Sequence, residues 1–251
     1  MSTSLLSFIW GFVGGFALVI GAAIGYLTSI SQRIVAGVMA FGAGVLISAL
    51  AFNLMDEAYR RAGFTPTATG FLCGSIVYTI ANVLLNRHGA RHRKNARGKQ
   101  PAEAEQPGSG MAIAIGSLMD DIPEAIAIGV SMIAGGAVSL VTLLAVFLSN
   151  IPESLSSSTG MKRAGRSGRY IFTLWGITAA LCGFSSLIGY TVFRHFPIAV
   201  IAITIAIAAG AILTMLADTM IPEAFDEAKD YAGIITVVGF LIAFVLTKIS
   251  G

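Results

Sequence analysis

The chain alternates between long, largely apolar stretches and short polar connections. A helix of about 20 apolar residues crosses the hydrocarbon core of a bilayer, and eight stretches reach that length. We predict spans over residues 4–27, 34–57, 66–86, 110–134, 138–160, 170–193, 198–222 and 231–248. The apolar positions lack the period of two of a membrane barrel. The pattern therefore predicts an all-α integral membrane protein, with residues 1–251 forming one transmembrane domain.

Composition and charge placement agree with this interpretation and add an orientation. The chain is 55% apolar and only 12% charged, whereas soluble domains are about one quarter charged. Most Lys and Arg residues lie in the connections at residues 33, 87–99, 162–169 and 229. The positive-inside rule then predicts both termini outside, in a bacterial inner or plasma membrane. Cys73 and Cys182 both fall inside spans and predict no disulfide framework.

Residues 87–109 form the only long polar segment. Its Pro, Gly and alternating charges predict a flexible cytoplasmic loop between the third and fourth spans. A basic run can also bind nucleic acid or lipid headgroups. Topology already explains these charges, and no aromatic residue is interleaved among them, so we expect the lipid bilayer and no nucleic acid as a partner.

The tripeptide Ile-Pro-Glu recurs at residues 122–124, 151–153 and 221–223, in or near three spans. Each proline frees the carbonyl four residues earlier, and in lipid that carbonyl needs a partner. The glutamate that follows costs about 3 kcal/mol if it is charged at a helix centre. No Lys or Arg lies in the middle of any span, so we expect no internal ion pair. Protonation or a bound cation would have to stabilise the carboxylates.

The spacing brings these carboxylates together. Glu124 lies four residues after Asp120 and three after Asp121, so all three approach one helical sector, as do Asn150 and Glu153 in the next span. A tight turn joins the two spans, so the two groups should meet at similar depth. We predict a cation site formed by these five residues. Three further residues are weaker candidate ligands: Ser149, Met119 and Cys182.

An internal repeat adds a candidate pathway. Residues 44–59 align without gaps on residues 210–225, with Leu50 matching Leu216 and Glu57 matching Glu223. Because the two spans run in opposite directions, we predict an inverted repeat that relates helices 1–3 and 6–8 around a central helix 4/5 pair, as in secondary transporters. The candidate pathway residues are Asn53, Asp56 and Glu57 near the outer mouth and Asp218, Glu223, Asp226 and Glu227 near the inner one.

Eight spans, the long loop and the paired motifs "DDIPEAIAIG" (120–129) and "SNIPESLSSS" (149–158) resemble the ZIP family of divalent-metal transporters. The resemblance implies a divalent cation of the Zn, Mn, Fe or Cd class as substrate, no prosthetic group, and a homodimer. It places Asp120 and Asp121 where the family has His and Asn, and keeps Glu124 and Glu153. Span six has no acidic residue where some members carry a glutamate, and Cys182 falls near that position.

Other functions stay open at this stage. Loss of the imidazole favours harder ions such as Mn²⁺ or Fe²⁺ over Zn²⁺. The same carboxylates could instead be protonation sites in a proton-coupled carrier of another small solute, and a receptor or sensor on this scaffold is a third candidate. A metal-dependent hydrolase usually needs histidine ligands. None lies deep in a span, so we expect no enzymatic activity.

Overall fold

The computed structural model describes residues 1–133 and 135–250, leaving out the side chains of Glu227 and Ser250. Every regular element in these ranges is helical. The α-helices are α1 (Thr3–Leu27), α2 (Gln32–Ala49), α3 (Asp56–Ala62), α4 (Phe64–Leu85), α5 (Ser109–Ser131), α6 (Leu140–Arg163), α7 (Gly168–Phe193), α8 (Ile198–Met215), α9 (Ile221–Ala228) and α10 (Ala232–Ser250). A short 3₁₀ turn, Lys229–Tyr231, precedes α10.

Seven helical stretches in the described ranges are long and apolar enough to cross a membrane, as expected for a membrane-embedded protein. They are Thr3–Leu27, Gln32–Ala62, Phe64–Ala90, Leu140–Arg163, Gly168–Phe193, Ile198–Asp226 and Lys229–Ile249. Helix α5 is comparably long, with 23 residues, but carries Asp120, Asp121 and Glu124 within its apolar sequence. Each of the eight stretches predicted as spans falls mainly on one of these helices.

The helices approach one another closely at glycines. Helix α1 packs along both α6 and α7, α5 along α7, α2 along α10 and α4 along α8. A Cβ added to Gly74 of α4 would overlap the carbonyl oxygen of Ile207 on α8, and one on Gly210 would overlap that of Phe71. Such contacts let helix backbones touch in lipid, where the hydrophobic effect does not drive helices together.

Two helices widen into π turns at related places. Helix α2 continues through a first π turn, Leu50–Met55, into α3, and α8 continues through a second, Leu216–Met220, into α9. Both turns begin at the leucine pair that the sequence alignment matched. The helix pairing is also reciprocal, because α2 packs on α10 as α8 packs on α4, and α1 packs on α6 as α7 packs on α5.

Candidate cation site

The predicted ligand set lies in the interior of the bundle. Asp120, Asp121 and Glu124 lie near the middle of α5, and Asn150 and Glu153 lie near the middle of α6. Each of these five residues is at most 2% exposed. Pro123 and Pro152 lie inside the same two helices, which continue past them. The structure thus brings both halves of the motif pair into one buried region.

Asp120 is neutralised by an arginine from the connection between α4 and α5. Arg93 donates through Nε to Asp120 Oδ2 at 2.8 Å and through Nη2 to Oδ1 at 2.9 Å. This is the bidentate geometry that makes Arg–carboxylate pairs strong. Tyr78 donates its hydroxyl to Asp120 Oδ1 at 2.5 Å, and Arg93 also donates to Tyr78 and Asn82.

Lys94 joins the two helices of the site. Its Nζ lies 2.8 Å from Glu153 Oε2 and 3.2 Å from Asp120 Oδ2, and 3.0 Å from the sulfur of Met215. Lys94 is 2% exposed and Arg93 is 1% exposed. An ammonium group therefore lies between a carboxylate of α5 and a carboxylate of α6.

These contacts correct one sequence inference. We expected the carboxylates to have no ion-pair partner, because no span carries a basic residue in its middle, and that expectation is wrong. The partners come from the segment predicted as a flexible loop, in which Arg93, Lys94, Asn95 and Gln100 are buried against the bundle. Arg93 and Lys94 lie outside every predicted span, so the pattern within the spans gave no sign of them.

Several ligand atoms in the site have no partner in the described part of the chain. They are both oxygens of Asp121, Glu124 Oε2, Glu153 Oε1 and Asn150 Oδ1, all buried. Asn150 uses its Nδ2 on the carbonyl of Gly14 at 3.1 Å, which leaves its oxygen available. Four carboxylates face two cationic side chains, so two negative charges remain if all are ionised. One divalent cation or two protons would balance them.

In this conformation, no three His, Cys, Asp or Glu side chains of the described residues converge closely enough to hold a metal ion. Instead, the Lys94 ammonium lies between Asp120 and Glu153. The carboxylates would need to move, or Lys94 to leave, before a metal ion could draw them together.

The three weaker candidates differ in their surroundings. Ser149 is buried and donates its hydroxyl to the carbonyl of Val146 at 2.9 Å. Met119 packs against the apolar core between α2 and α8. Cys182 is buried in a second apolar cluster with Trp175.

The predicted inner-mouth residues meet the connection between α4 and α5. Glu223 contacts His92 Nδ1 at 3.4 Å and accepts from Asn95 Nδ2 at 2.5 Å. Asp226 pairs with Lys99 at 3.1 Å. Elsewhere, Asp218 accepts from Asn82 at 3.3 Å. The side chain of Glu227, on α9, lies outside the described residues.

The predicted outer-mouth residues lie apart from the five buried residues of the predicted ligand set on α5 and α6, which we call the cage. Asp56 pairs with Arg60 at 2.9 Å and Glu57 pairs with Arg61 at 2.5 Å, each one turn along α3. Asn53 donates to Thr247 Oγ1 at 3.5 Å. These contacts lie at the end of the bundle opposite the connection between α4 and α5.

Sequence reasoning missed five members of the site: Tyr78, Asn82, Arg93, Lys94 and Met215. A signal existed for the first two, because Tyr78 and Asn82 are polar residues four apart in an uncharged span and share one helical face. The two basic residues carried no local signal that set them apart from the other charges of their loop.

The contacts of Glu103 with Arg166, Gly108 and Gly110, which we call the clasp, hold the second half of the connection between α4 and α5 in place. The Glu103 carboxylate accepts from Arg166 Nη1 at 2.8 Å and from the N–H groups of Gly108 at 2.6 Å and Gly110 at 2.9 Å. The Arg166 bond and then the two backbone bonds lower the pKa of Glu103 to about 2. Glu103 therefore ties the start of α5 to the α6–α7 connection.

Comparison with protein-family models gives no match for this chain, and comparison with curated proteins gives none either. The resemblance to the ZIP family therefore stays a prediction from the two motifs, the eight predicted spans and the long loop.

Proposed function

We propose that this protein transports divalent metal cations across a membrane, with Asp121, Glu124 and Glu153 as the principal cargo ligands and Asp120 and Asn150 beside them. The observation that carries the proposal is the set of buried carboxylate oxygens without partners. Leaving two ionised carboxylates unneutralised in the middle of lipid-embedded helices would cost about 6 kcal/mol. Such a cost indicates a binding site for positive charge.

The donor chemistry narrows the cargo. The oxygens come from carboxylates and an amide, and no histidine belongs to the cage. Oxygen ligands suit Mn²⁺ and Fe²⁺, whereas imidazole and thiolate favour Zn²⁺ and Cd²⁺. We therefore propose that manganese or iron binds more tightly, relative to zinc, than it does at histidine-containing sites. Cys182, if it turned towards the cage, would moderate this preference.

The proposal includes a ZIP-like arrangement of eight spans, with an inverted repeat, both termini outside and the α4–α5 connection on the cytoplasmic side. Two observations support the repeat: the π turns begin at the aligned leucines Leu50 and Leu216, and the helix pairing is reciprocal. Alternating access between related halves is the mechanism that such repeats serve.

The test is metal binding by the purified, chelator-treated protein in detergent. Thermal unfolding and calorimetric titration with Mn²⁺, Fe²⁺, Zn²⁺, Cd²⁺ and Mg²⁺ would give the rank order. Metal at a hundred times its Kd should stabilise the fold by about 2.7 kcal/mol. Glu124→Gln and Asp121→Asn should abolish this effect, while Glu57→Gln, on the distant α3, should retain it.

The two excess negative charges also favour a second function, a proton-coupled carrier of another solute, since two protons would neutralise them equally well. In that case no metal would raise the unfolding temperature, while the same Glu124→Gln and Asp121→Asn variants would abolish the dependence of transport on pH. That combination would refute metal transport.

A further inference from the structure

Residues 91–100, which we call the plug, lie in a space made for them by two helix glycines. A Cβ on Gly160 of α6 would overlap the carbonyl oxygen of Asn95 and lie 2.7 Å from Gln100 Nε2. A Cβ on Gly116 of α5 would lie 2.7 Å from Cδ of Arg93. Glycine inside a helix is destabilising by roughly 0.5–1 kcal/mol relative to alanine. Close approach of the plug gives these two positions a reason to lack a side chain.

The plug also has dedicated backbone partners. Ser156 donates its hydroxyl to the carbonyl of Lys94 at 2.6 Å. The Gln100 amide donates to the carbonyls of Arg93 at 3.0 Å and Asn95 at 3.3 Å, and to Ser157 of α6 at 3.1 Å. Irregular backbone inside a bundle needs such partners because unpaired carbonyl groups are costly to bury.

The two ends of this contact differ in strength. At the buried end of the plug, Arg93 and Lys94 make ion pairs with Asp120 and Glu153. At the exposed end, Lys99 pairs with Asp226, and their side chains are 44% and 48% exposed. Exposed pairs of this kind contribute about 0–1 kcal/mol. The Lys99–Asp226 pair therefore adds little to docking, whereas release of Arg93 and Lys94 needs another source of positive charge for Asp120 and Glu153.

We propose that the plug is a gate in which the Lys94 ammonium is a tethered competitor of the cargo cation. With the plug docked, Lys94 holds Asp120 and Glu153, and the path from the cage to this end of the bundle is closed. A divalent cation that takes over these carboxylates displaces Lys94, and the plug withdraws. Lys94 thereby lowers the apparent metal affinity. This regulation rests on the proposed transport function.

The experiment frees the plug without changing any charge. Gly160→Ala should prevent docking by steric overlap, and Gly176→Ala is the matched control, because a Cβ at Gly176 has nothing within 4 Å. Limited trypsin digestion, with cleavage sites located by mass spectrometry, reports exposure of the plug without any metal. Titration with Mn²⁺ alone reports affinity. Gly116→Ala is the second steric variant if Gly160→Ala does not fold.

We expect Gly160→Ala to raise the rate of cleavage after Arg93 and Lys94 about tenfold and to lower the Kd for Mn²⁺ about tenfold. That change corresponds to a wild-type plug docked about 90% of the time. Lys94→Met should lower the Kd as well, and Gly176→Ala should match the wild type in both assays.

Two results would overturn the gate while leaving metal transport intact. The first is faster cleavage in Gly160→Ala with the wild-type Kd for Mn²⁺, and the second is an unchanged cleavage rate in both steric variants while the wild type binds Mn²⁺. Absence of Mn²⁺ binding in the wild type, Gly160→Ala and Lys94→Met together would instead overturn the proposed function, and the gate with it.

Discussion

Arg93→Met tests whether the connection supplies a structural counter-charge to the bundle. The wild-type guanidinium donates five hydrogen bonds, two of them to Asp120 and the others to Tyr78, Asn82 and the carbonyl of Ala90. Methionine preserves much of the length of the side chain but none of these donors. Asp120 would keep only Tyr78 and Lys94 as partners.

Removing one member of a buried ion pair costs about 3–5 kcal/mol. For a chain of this size, each kcal/mol lowers the unfolding temperature by about 2–4 °C, so the full effect would be roughly 6–20 °C. Undocking of the plug limits the loss, because water can then reach Asp120. We therefore expect a fall near 6–10 °C, at the lower end of that range.

The assay is thermal unfolding in detergent, followed by circular dichroism and compared at one protein concentration. The double variant Arg93→Met/Asp120→Asn should recover much of the loss, because Asp120 then carries no unpaired charge. The wild type, Arg93→Met, Asp120→Asn and the double variant form a double-mutant cycle. Lys99→Met is the control, since its pair with Asp226 is exposed. An unfolding temperature within 1 °C or so of wild type for Arg93→Met, well below the smallest shift calculated above, would refute the assigned role of Arg93.

Three further predictions concern the clasp and helix packing. Glu103→Ala should speed hydrogen exchange at the N–H of Gly108 at pH 7. In the wild type, folding lowers the pKa of Glu103 from 4.5 to about 2. The contribution of Glu103 to stability is therefore complete above about pH 4.5 and is lost as the pH falls through about 2. Gly74→Ala should lower the unfolding temperature, because its Cβ would overlap the α8 backbone. Ser186→Ala should cost about 1 kcal/mol, because Ser7 and Ser186 donate reciprocally to each other's carbonyls at 2.7 and 2.8 Å.

Each of these has its own contrary result. Unchanged exchange at Gly108 in Glu103→Ala would mean that the carboxylate does not order the connection. Gly74→Ala is compared with Gly176→Ala, and equal unfolding temperatures would contradict the close α4–α8 approach. For the serine pair, unfolding temperatures equal to wild type in both Ser7→Ala and Ser186→Ala would argue against the contact between α1 and α7.

The sequence predicted those features that depend on local patterns. Apolar runs located the long helices, and the spacing within the Ile-Pro-Glu motifs identified the buried faces of α5 and α6. It missed the pairing of Arg93 with Asp120, residues 27 positions apart. The positive-inside rule accounts for a basic loop whether or not that loop enters the bundle. Only packing against α5 and α6 distinguishes Arg93 and Lys94 from their neighbours.

The π turn at Leu216–Met220 has a mechanical consequence. A π turn holds about one more residue per turn than an α turn, and successive α-helical residues are rotated by about 100°. Converting this turn to α-helix would therefore swing α9 by roughly that angle about its own axis. Glu223 contacts Asn95 of the plug in the present state. Conversion of the π turn would turn the Glu223 side chain away from the plug, while α8 stayed in place.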